Sequence, residues 1–319
     1  MTGLFGLSAC APMVQGAAVP PAGFAGPRLE TGAFVTGDGT VLPMEVWAAQ
    51  GEPSTVLVAL HGMNDYARAF AYGSAAWWAS QGITTYAYDQ RGFGRAPHRG
   101  VWAGTELMVE DLRTFTALLR ARHPGAVVGV LGHSMGGAVA IAAFASDRPP
   151  VADRLIVAAP AVWGWREQPL ANRAALWVSA HIAPSWKLSA PRWLVERVRA
   201  SDNLEVLLAM GRDPNMIFDT RIDAIYGLVQ LMQQADNELG RVRTPLLYLY
   251  GAHDQIIPRP ATLHAARGLK AVDRSAYYPN GWHLLTRDLQ GPAVWADVAA
   301  YLRDSSMPLP SGVGPLPKG

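Results

Sequence analysis

A serine that could act as a nucleophile lies in the sequence Gly132-His133-Ser134-Met135-Gly136. The motif follows an apolar run, 126–131, and precedes a segment with the composition of a helix, 137–144. A sharp turn between strand and helix would expose the hydroxyl of Ser134, and the flanking glycines would let strand and helix approach each other. A phosphate-binding turn is the alternative, but no Lys-Ser or Lys-Thr pair follows. The pattern therefore favours attack by Ser134 on an acyl carbon.

A serine hydroxyl needs a base, and the base needs an orienting acid. Asp254 follows the apolar run 246–250, and His283 follows the run 275–278. Both runs are typical of strands in a parallel sheet, whose carboxyl ends meet at one edge. We therefore predict that Asp254 and His283 lie beside Ser134, with His283 as general base. Taken singly, either residue could instead be a helix cap or an exposed loop histidine.

Backbone amides at two places could stabilise the charge that develops on the carbonyl oxygen during acyl transfer. Met135 would begin the helix after Ser134, so that its N–H has no partner within the helix. Met63 lies in the loop His61-Gly62-Met63-Asn64-Asp65, directly after the apolar run 55–60. We predict an oxyanion hole formed by the amides of Met63 and Met135, with His61 close to the substrate.

The rest of the chain alternates between apolar runs typical of buried strands and segments with helical spacing. Strands are predicted at 55–60, 83–88, 126–131, 155–159, 246–250 and 275–278, after an opening hairpin with a Gly37-Asp38-Gly39 turn. Helices are predicted at 66–80, 106–122, 137–144, 261–267 and 291–302. This alternation implies right-handed crossovers, and so an α/β fold with a doubly wound, mostly parallel sheet.

Residues 160–240 interrupt the alternation, because their pattern predicts helix throughout and they contain five closely spaced tryptophans. We predict an insertion between two parts of one core, 28–159 and 241–304. Trp163 and Trp165 are candidates for substrate contacts, although apolar helices packed on a core would have the same composition. Residues 305–319, rich in Pro and Gly, are expected to form a disordered tail.

The chain resembles the monoacylglycerol lipase, lysophospholipase and serine-aminopeptidase-like branch of the α/β-hydrolases over residues 30–303. The resemblance rests on His61-Gly62-Met63, Asp89-Gln90-Arg91-Gly92-Phe93-Gly94, Gly132-His133-Ser134-Met135-Gly136-Gly137 and residues 251–258, in this order. In that superfamily the nucleophile, the acid and the histidine follow one another along the chain, as Ser134, Asp254 and His283 do.

The resemblance also implies a helical cap over the active site, here residues 160–240, and no metal or organic cofactor. The sequence departs from the family pattern at two places. Arg95 stands where relatives commonly have a small serine, and residues 61–65 lack a second glycine and a closing histidine. These departures leave the identity of the substrate open, but not the triad.

Composition excludes several other classes of function. The formal net charge is +2, 16% of residues are charged and no block of Lys or Arg occurs, so no nucleic-acid partner is expected. No apolar run reaches the roughly 18 residues that a membrane-spanning helix needs. A single cysteine, Cys10, excludes an intrachain disulfide and a multi-cysteine metal site.

The sequence Leu7-Ser8-Ala9-Cys10 resembles the lipobox of bacterial lipoproteins, in which the cysteine is lipidated. No Lys or Arg precedes Cys10, and the apolar stretch before it is short. Residues 1–27 would then be a lipoprotein signal followed, from residue 11, by a flexible tether to a membrane. Two locations stay open: the bacterial cell envelope, with Cys10 as anchor, and the cytoplasm if the signal is not functional.

The sequence thus predicts a serine esterase or lipase that cleaves monoacylglycerol-like or lysophospholipid-like esters through an acyl-Ser134 intermediate. A peptidase or amidase would use the same triad, and a free amino terminus could be bound by one of four acidic residues in the insertion, Glu205, Asp213, Asp219 and Asp223. A non-catalytic envelope lipoprotein that binds a ligand is the alternative from another class.

Overall fold

The computed structural model describes residues 11–317, apart from residues 192 and 194–196. Among these residues, nine strands form the central sheet in the order β1-β2-β3-β5-β4-β6-β7-β10-β11. The strands β8 and β9 form a separate two-stranded antiparallel sheet. The strands are β1 (Arg28–Glu30), β2 (Ala33–Val35), β3 (Val41–Trp47), β4 (Thr55–Leu60), β5 (Ile83–Tyr88), β6 (Val127–His133), β7 (Arg154–Ala158), β8 (Lys187–Ser189), β9 (Asp219–Arg221), β10 (Leu246–Gly251) and β11 (Arg274–Tyr278). The helices are α1 (Ser74–Ser80), α2 (Thr105–Arg122), α3 (Met135–Ala145), α4 (Leu170–Ile182), α5 (Leu204–Arg212), α6 (Ile222–Glu238), α7 (Arg259–Ala266) and α8 (Gly291–Arg303).

The directions of the strands agree with the mostly parallel sheet expected from the sequence pattern. From β5 to β11 in the sheet order, adjacent strands are parallel to one another. The strands β1, β2 and β3 form an antiparallel edge, and β3 is also antiparallel to β5. The central strands β4, β5 and β10 are buried at every residue, as expected for a sheet covered by helices on both faces. The predicted α/β fold with a mostly parallel sheet is confirmed.

Two apolar cores hold the sheet, one on each face. Within β6, Val130 joins the core under α2 and α3, and Leu131 joins the core under α1 and α8. Successive side chains of a strand point to opposite faces, so an unbroken apolar run fills both cores. This packing fixes the carboxyl ends of the parallel strands, where the candidate catalytic residues follow.

Two predicted helical regions differ from the structure. Residues 66–80 form a short 3-10 turn, Ala67–Phe70, and then α1, because Gly73 between them has a φ of +99° that no helix continues. The segment between β7 and β10, hereafter the β7–β10 segment, contains α4, α5 and α6 but also the two-stranded sheet of β8 and β9. These two strands lie far apart in sequence, and local periodicity does not indicate that they pair.

Most of the N-terminal residues 11–27 are exposed, and none of them is buried. Gln15 donates its backbone N–H to the carbonyl of Trp102 (2.8 Å) and its side-chain amide to the carbonyl of Val101 (2.6 Å). These hydrogen bonds hold the segment on the surface at one point, and a flexible tether stays a prediction. Cys10 lies outside the described residues. No described helix is both long and apolar enough to cross a bilayer.

The C-terminal residues 305–317 are packed against the sheet, which corrects the prediction of a disordered tail. The N–H of Tyr277 in β11 donates to the carbonyl of Gly314 (2.9 Å), so the tail covers the edge strand of the sheet. Leu309 enters one apolar core and Leu316 the other, each with 8% exposure. An open sheet edge and two leucines outweigh the high content of Pro and Gly.

Candidate active site

Ser134 occupies a sharp turn between β6 and α3. Its φ is +51° and its ψ is −116°, a backbone conformation that non-glycine residues adopt only under strain. A Cβ on Gly132 would lie 2.4 Å from the carbonyl oxygen of Gly136, and one on Gly136 would lie 2.5 Å from the carbonyl oxygen of Leu60. The glycines are thus required for the close approach of strand and helix, as the motif predicts.

Asp254 and His283 meet at the same edge of the sheet. Nδ1 of His283 donates to Oδ2 of Asp254 over 2.8 Å, because a carboxylate oxygen can only accept. Oδ1 of Asp254 accepts the backbone N–H groups of Ile256 (2.8 Å) and Ile257 (2.9 Å). The Asp254 side chain is fully buried and His283 is 5% exposed. The proton is therefore held on Nδ1, which leaves Nε2 of His283 as the basic nitrogen.

Backbone contacts fix the two loops that carry these residues. The N–H groups of Ala252 and His253 donate to the carbonyls of Tyr278 (2.9 Å) and Gly281 (2.8 Å). A Cβ on Gly251 would lie 2.4 Å from the carbonyl carbon of Gly281, so only glycine permits this approach. The loop after β10 and the loop after β11 form one unit, which sets the distance between acid and histidine.

His133 links the nucleophile turn to the histidine loop. Its Nε2 donates to the backbone carbonyl of His283 over 3.0 Å, and the two rings lie 4.9 Å apart between centroids. Burial lowers the pKa of His133 well below its ordinary value, with the nearby His283 contributing in the same direction. His133 is therefore a neutral positioning residue. The only signal of this role in the sequence is the position of His133 directly before Ser134.

The loop after β4 lies against the nucleophile. A Cβ on Gly62 would be 3.2 Å from Cβ of Ser134 and 3.1 Å from Nδ1 of His133. Within the described residues, neither the Met63 nor the Met135 amide donates to another backbone carbonyl. Both amides therefore have donor capacity at this edge of the sheet, which is compatible with the predicted oxyanion hole.

His61 does not face a substrate, which corrects its assignment as a substrate contact. The side chain is fully buried, Nδ1 donates to the carbonyl of Gly62 (2.8 Å) and Nε2 accepts the N–H of Gln90 (2.9 Å). The Gln90 side chain in turn donates to the carbonyl of His61 (2.8 Å). Burial lowers the pKa of His61, so the ring stays neutral. Both ring nitrogens are used to fix the loop that carries Met63.

Two ion pairs join segments around the site. Asp65 pairs with Arg287, and their side chains are 7% and 2% exposed, so this bond ties the Met63 loop to the loop after His283. Asp89 pairs with Arg95 over 2.9 Å, and Arg95 also reaches Glu45 at 2.8 Å, so this pair ties the loop after β5 to β3. Arg95, the departure from the family pattern, is therefore an ion-pair residue. Long-range pairs of this kind leave no local signal in sequence.

The β7–β10 segment is hydrogen-bonded to the site at its start and again near its middle. It begins beside the nucleophile, where the N–H of Ala161 donates to the carbonyl of Ser134 over 2.9 Å. Near the middle of the segment, Ser201 donates to the Asp288 carboxylate over 2.6 Å, close to the loop that carries His283. That carboxylate also accepts the N–H of Trp282 at 2.7 Å. Burial raises the pKa of Asp288 to about 6, although these hydrogen bonds oppose the shift.

Trp163 and Trp165 lie near the start of this segment, and both are half-buried against the core. Trp165 packs edge-to-face on Tyr226 of α6, with the ring centroids 5.3 Å apart. Their packing accounts for their apolar character. A substrate contact by either ring stays a prediction.

Comparison with known proteins places this geometry in a family. The sequence matches the family described as serine aminopeptidase, S33, over residues 51–290, a range that includes Ser134, Asp254 and His283. A monoacylglycerol lipase of Mycolicibacterium smegmatis is 27% identical over 277 residues, covering 83% of this chain and 93% of that protein. The monoglyceride lipase of Homo sapiens is 23% identical over 261 residues, covering 80% and 84%.

Solved structures show the same fold. A soluble variant of the monoglyceride lipase from Saccharomyces cerevisiae matches with a TM-score of 0.72 at 17% identity, covering 91% of this chain and 99% of that chain. The monoacylglycerol lipase of Paleococcus ferrophilus matches with a TM-score of 0.65 at 21% identity, covering 83% and 99%. Because the family match extends over most of its length, the chain belongs to the serine aminopeptidase, S33 family of α/β-hydrolases.

Proposed function

We propose that this protein hydrolyses carboxylic esters through an acyl-Ser134 intermediate. The observation that carries the proposal is the 2.8 Å contact between Asp254 and His283, placed at the sheet edge where Ser134 occupies its strained turn. The lipases among its relatives support an ester as substrate.

In the first half of the reaction His283 Nε2 takes the proton of Ser134 Oγ as that oxygen bonds to the acyl carbon. The carbonyl electron pair moves to the oxygen, where the amides of Met63 and Met135 stabilise it. The tetrahedral intermediate then collapses, the bond to the alcohol oxygen breaks, and His283 returns its proton to that oxygen. Water repeats the sequence on the acyl-Ser134 ester and releases the carboxylic acid.

We propose an acyl ester of the monoacylglycerol or lysophospholipid type as substrate, with Trp163 and Trp165 along the acyl chain. An aminopeptidase would need an acidic side chain to bind the free amine of its substrate. Three of the four acidic residues considered for that role are engaged elsewhere: Asp213 with Tyr66, Asp219 with Ser189 and Asp223 with Arg221. Their engagement argues against recognition of a free amino terminus and so supports a lipid-like acyl ester.

A fluorophosphonate probe tests the nucleophile. We expect the probe to label the wild-type protein at Ser134, and Ser134→Ala to lose both labelling and essentially all turnover of a short-chain ester. Ser80→Ala, which changes an exposed serine, is the control and should behave as the wild type. Turnover retained by Ser134→Ala would exclude the mechanism, and a folded wild-type protein that no probe labels would favour a non-catalytic binding module.

The substrate class is tested by kcat/KM for a series of monoacylglycerols and lysophospholipids of increasing chain length, compared with amino-acid amides. We expect the esters to be turned over faster, with a rise in kcat/KM as the acyl chain lengthens. Faster turnover of amides carrying a free amine would instead assign the protein as a peptidase.

A further inference from the structure

The backbone N–H groups on either side of His283 are both held by hydrogen bonds. The N–H of Trp282, the residue before it, donates to Oδ2 of Asp288 over 2.7 Å. The N–H of Leu284, the residue after it, donates to the carbonyl of Ala200 over 2.9 Å. The direction in which an imidazole ring leaves the chain depends on the backbone that carries it. These two bonds therefore bear on where the ring of His283 points.

The two bonds are joined at adjacent residues of the β7–β10 segment. Ala200 supplies one of them, and the hydroxyl of Ser201, the next residue, donates to Oδ1 of Asp288 over 2.6 Å. The other oxygen of the same carboxylate is the one that holds the N–H of Trp282. Because both oxygens are engaged, the orientation of the carboxylate is fixed. One short stretch of the segment thus holds the histidine loop on both sides of the histidine.

Further hydrogen bonds fix this stretch, residues 199–203, which we name the histidine clamp. They join the N–H of Arg199 to Oε1 of Gln255 (2.9 Å), Oδ1 of Asp202 to the N–H of Leu289 (2.9 Å), and the side-chain amide of Asn203 to the carbonyl of Arg287 (3.0 Å). Gln255 directly follows Asp254 in the chain. The clamp therefore contacts the loop of the acid as well as the loop of the histidine.

The bond between Ser201 and Asp288 is buried, since the two residues are 1% and 3% exposed. Taking a carboxylate out of water is costly unless hydrogen bonds replace its hydration. A serine hydroxyl and a backbone N–H replace it here, and removal of either partner leaves a polar group buried without a bond. The position of the Asp288 side chain, and with it that of Trp282, therefore depends on Ser201.

We propose that the histidine clamp positions the general base: Ser201, acting through Asp288, keeps the backbone around His283 in the conformation that directs Nε2 toward Ser134. This inference rests on the proposed function, because it concerns how His283 acts as a base. Ser201 and Asp288 are positioning residues that act through the histidine. The β7–β10 segment then takes part in catalysis itself, besides the contacts with the acyl chain proposed for it.

Ser201→Ala removes the hydroxyl and leaves the backbone bonds of the clamp in place. We expect kcat for a short-chain ester to fall about tenfold, with KM changed by less than about twofold, because the base is displaced while substrate contacts stay as they are. Asp288→Ala also frees the N–H of Trp282 and should lower kcat by about a hundredfold. Labelling by a fluorophosphonate should slow by the same factors, because activation of Ser134 needs the same base.

Asp288→Asn separates geometry from charge. Its amide oxygen can still accept the N–H of Trp282, and its NH2 group can donate to the hydroxyl oxygen of Ser201. We therefore expect its kcat to lie much closer to that of the wild type than to that of Asp288→Ala. A loss as large as that of Asp288→Ala would show that the negative charge is what matters, and would overturn a positioning role.

Ser311→Ala is the matched control for Ser201→Ala. Ser311 in the C-terminal tail donates its hydroxyl to the buried carboxylate of Asp297 over 2.6 Å, and its N–H donates to the other oxygen of that carboxylate over 2.8 Å. The thermal midpoints of the two serine variants should fall by similar amounts, but only Ser201→Ala should lose kcat. Equal kcat in Ser201→Ala and an active wild type would overturn the proposal.

A second background tests whether the clamp acts through His283. In a chain that carries His283→Ala, adding Ser201→Ala should leave the residual turnover of an activated ester unchanged, because no base remains to be positioned. A further loss of about tenfold in that background would overturn the proposal. A folded wild-type protein with neither turnover nor labelling would instead contradict the proposed function, and with it any base for the clamp to position.

Discussion

Ser134 keeps its strained backbone because its neighbours hold both of its peptide groups. Its N–H donates to the carbonyl of Ala158 (3.0 Å), and its carbonyl accepts the N–H groups of Ala138 (3.1 Å) and Ala161 (2.9 Å). A strained conformation costs of order 1–3 kcal/mol and persists only where the surroundings determine it. At the residue scale, the hydroxyl is therefore held in position before substrate arrives, which is what nucleophilic catalysis requires.

Asp254→Asn should lower kcat by about 10⁴, because an amide no longer holds the His283 proton on Nδ1 and the wrong tautomer faces Ser134. The change is isosteric, so the thermal midpoint should move little. Steady-state kinetics with a short-chain ester measures the effect. Asp147→Asn, at a side chain that is 100% exposed, is the control. A loss of less than tenfold would mean that Asp254 is not the orienting acid.

Gly62→Ala tests the loop that carries Met63. The new Cβ would lie 3.1 Å from His133 and 3.2 Å from Ser134, so the loop must shift by a few tenths of an ångström. We expect kcat to fall about ten- to a hundredfold through the displaced amide, with KM nearly unchanged. Gly37→Ala, whose Cβ would meet nothing within 4 Å, should leave kcat unchanged. A normal kcat in Gly62→Ala would argue against an oxyanion donor in this loop.

At the scale of elements, the loops that carry the site residues are held in place by contacts with one another. The loop after β4 is tied to the loop after β11 by Asp65 and Arg287, and the loop after β10 is tied to it through Gly251 and Gly281. The buried pair makes the position of Met63 depend on the loop that carries His283. The amide of Met63, predicted as an oxyanion donor, and His283, predicted as the base, are thus positioned together.

The C-terminal tail makes a stability prediction at this scale. Leu316→Ala should lower the free energy of unfolding by about 2–3 kcal/mol, because the side chain fills one apolar core beneath the edge strand β11. Urea unfolding followed by circular dichroism measures the change. Met307→Ala, in the same tail but 55% exposed, should change stability by less than about 0.5 kcal/mol. Equal effects of the two substitutions would show that the tail does not pack as described.

At the scale of the whole molecule, stability should depend on pH through two buried histidines. The folded chain keeps His61 and His133 neutral because burial lowers their pKa, while the unfolded chain protonates both near 6.5. Protonation then favours the unfolded state, so the free energy of unfolding should fall as pH drops below about 6.5. Each residue contributes up to about 1.4 kcal/mol per pH unit.

Urea unfolding between pH 7 and pH 5 gives the slope of the free energy of unfolding against pH. Substitutions then show whether His61 and His133 cause this slope. His61→Asn and His133→Asn should each reduce the slope by about one proton, even if either also lowers stability at neutral pH. His98→Asn, at an exposed histidine, is the matched control for loss of an imidazole. A slope that neither buried substitution changes would contradict the assignment of these two rings as neutral.

The chemistry of this protein could be deduced from local pattern because the α/β fold turns sequence order into spatial order. Parallel strands end at one edge, so Ser134, Asp254 and His283, each placed after an apolar run, converge wherever those runs pair in parallel. Local pattern likewise predicted the mostly parallel sheet and the need for the two glycines of the Ser134 turn. These features depend on periodicity, turn chemistry and chain direction, which are local properties.

Contacts between residues far apart in sequence decided the rest. His61 and His133 became positioning residues rather than substrate contact and turn residue because of partners at Gln90 and at the His283 carbonyl. The pairing of Asp65 with Arg287, the packed C-terminal tail and the pairing of β8 with β9 likewise depend on non-local partners. Burial and pairing are properties of the assembled chain: composition determined which residues could react, and tertiary structure decided which of them hold the others in place.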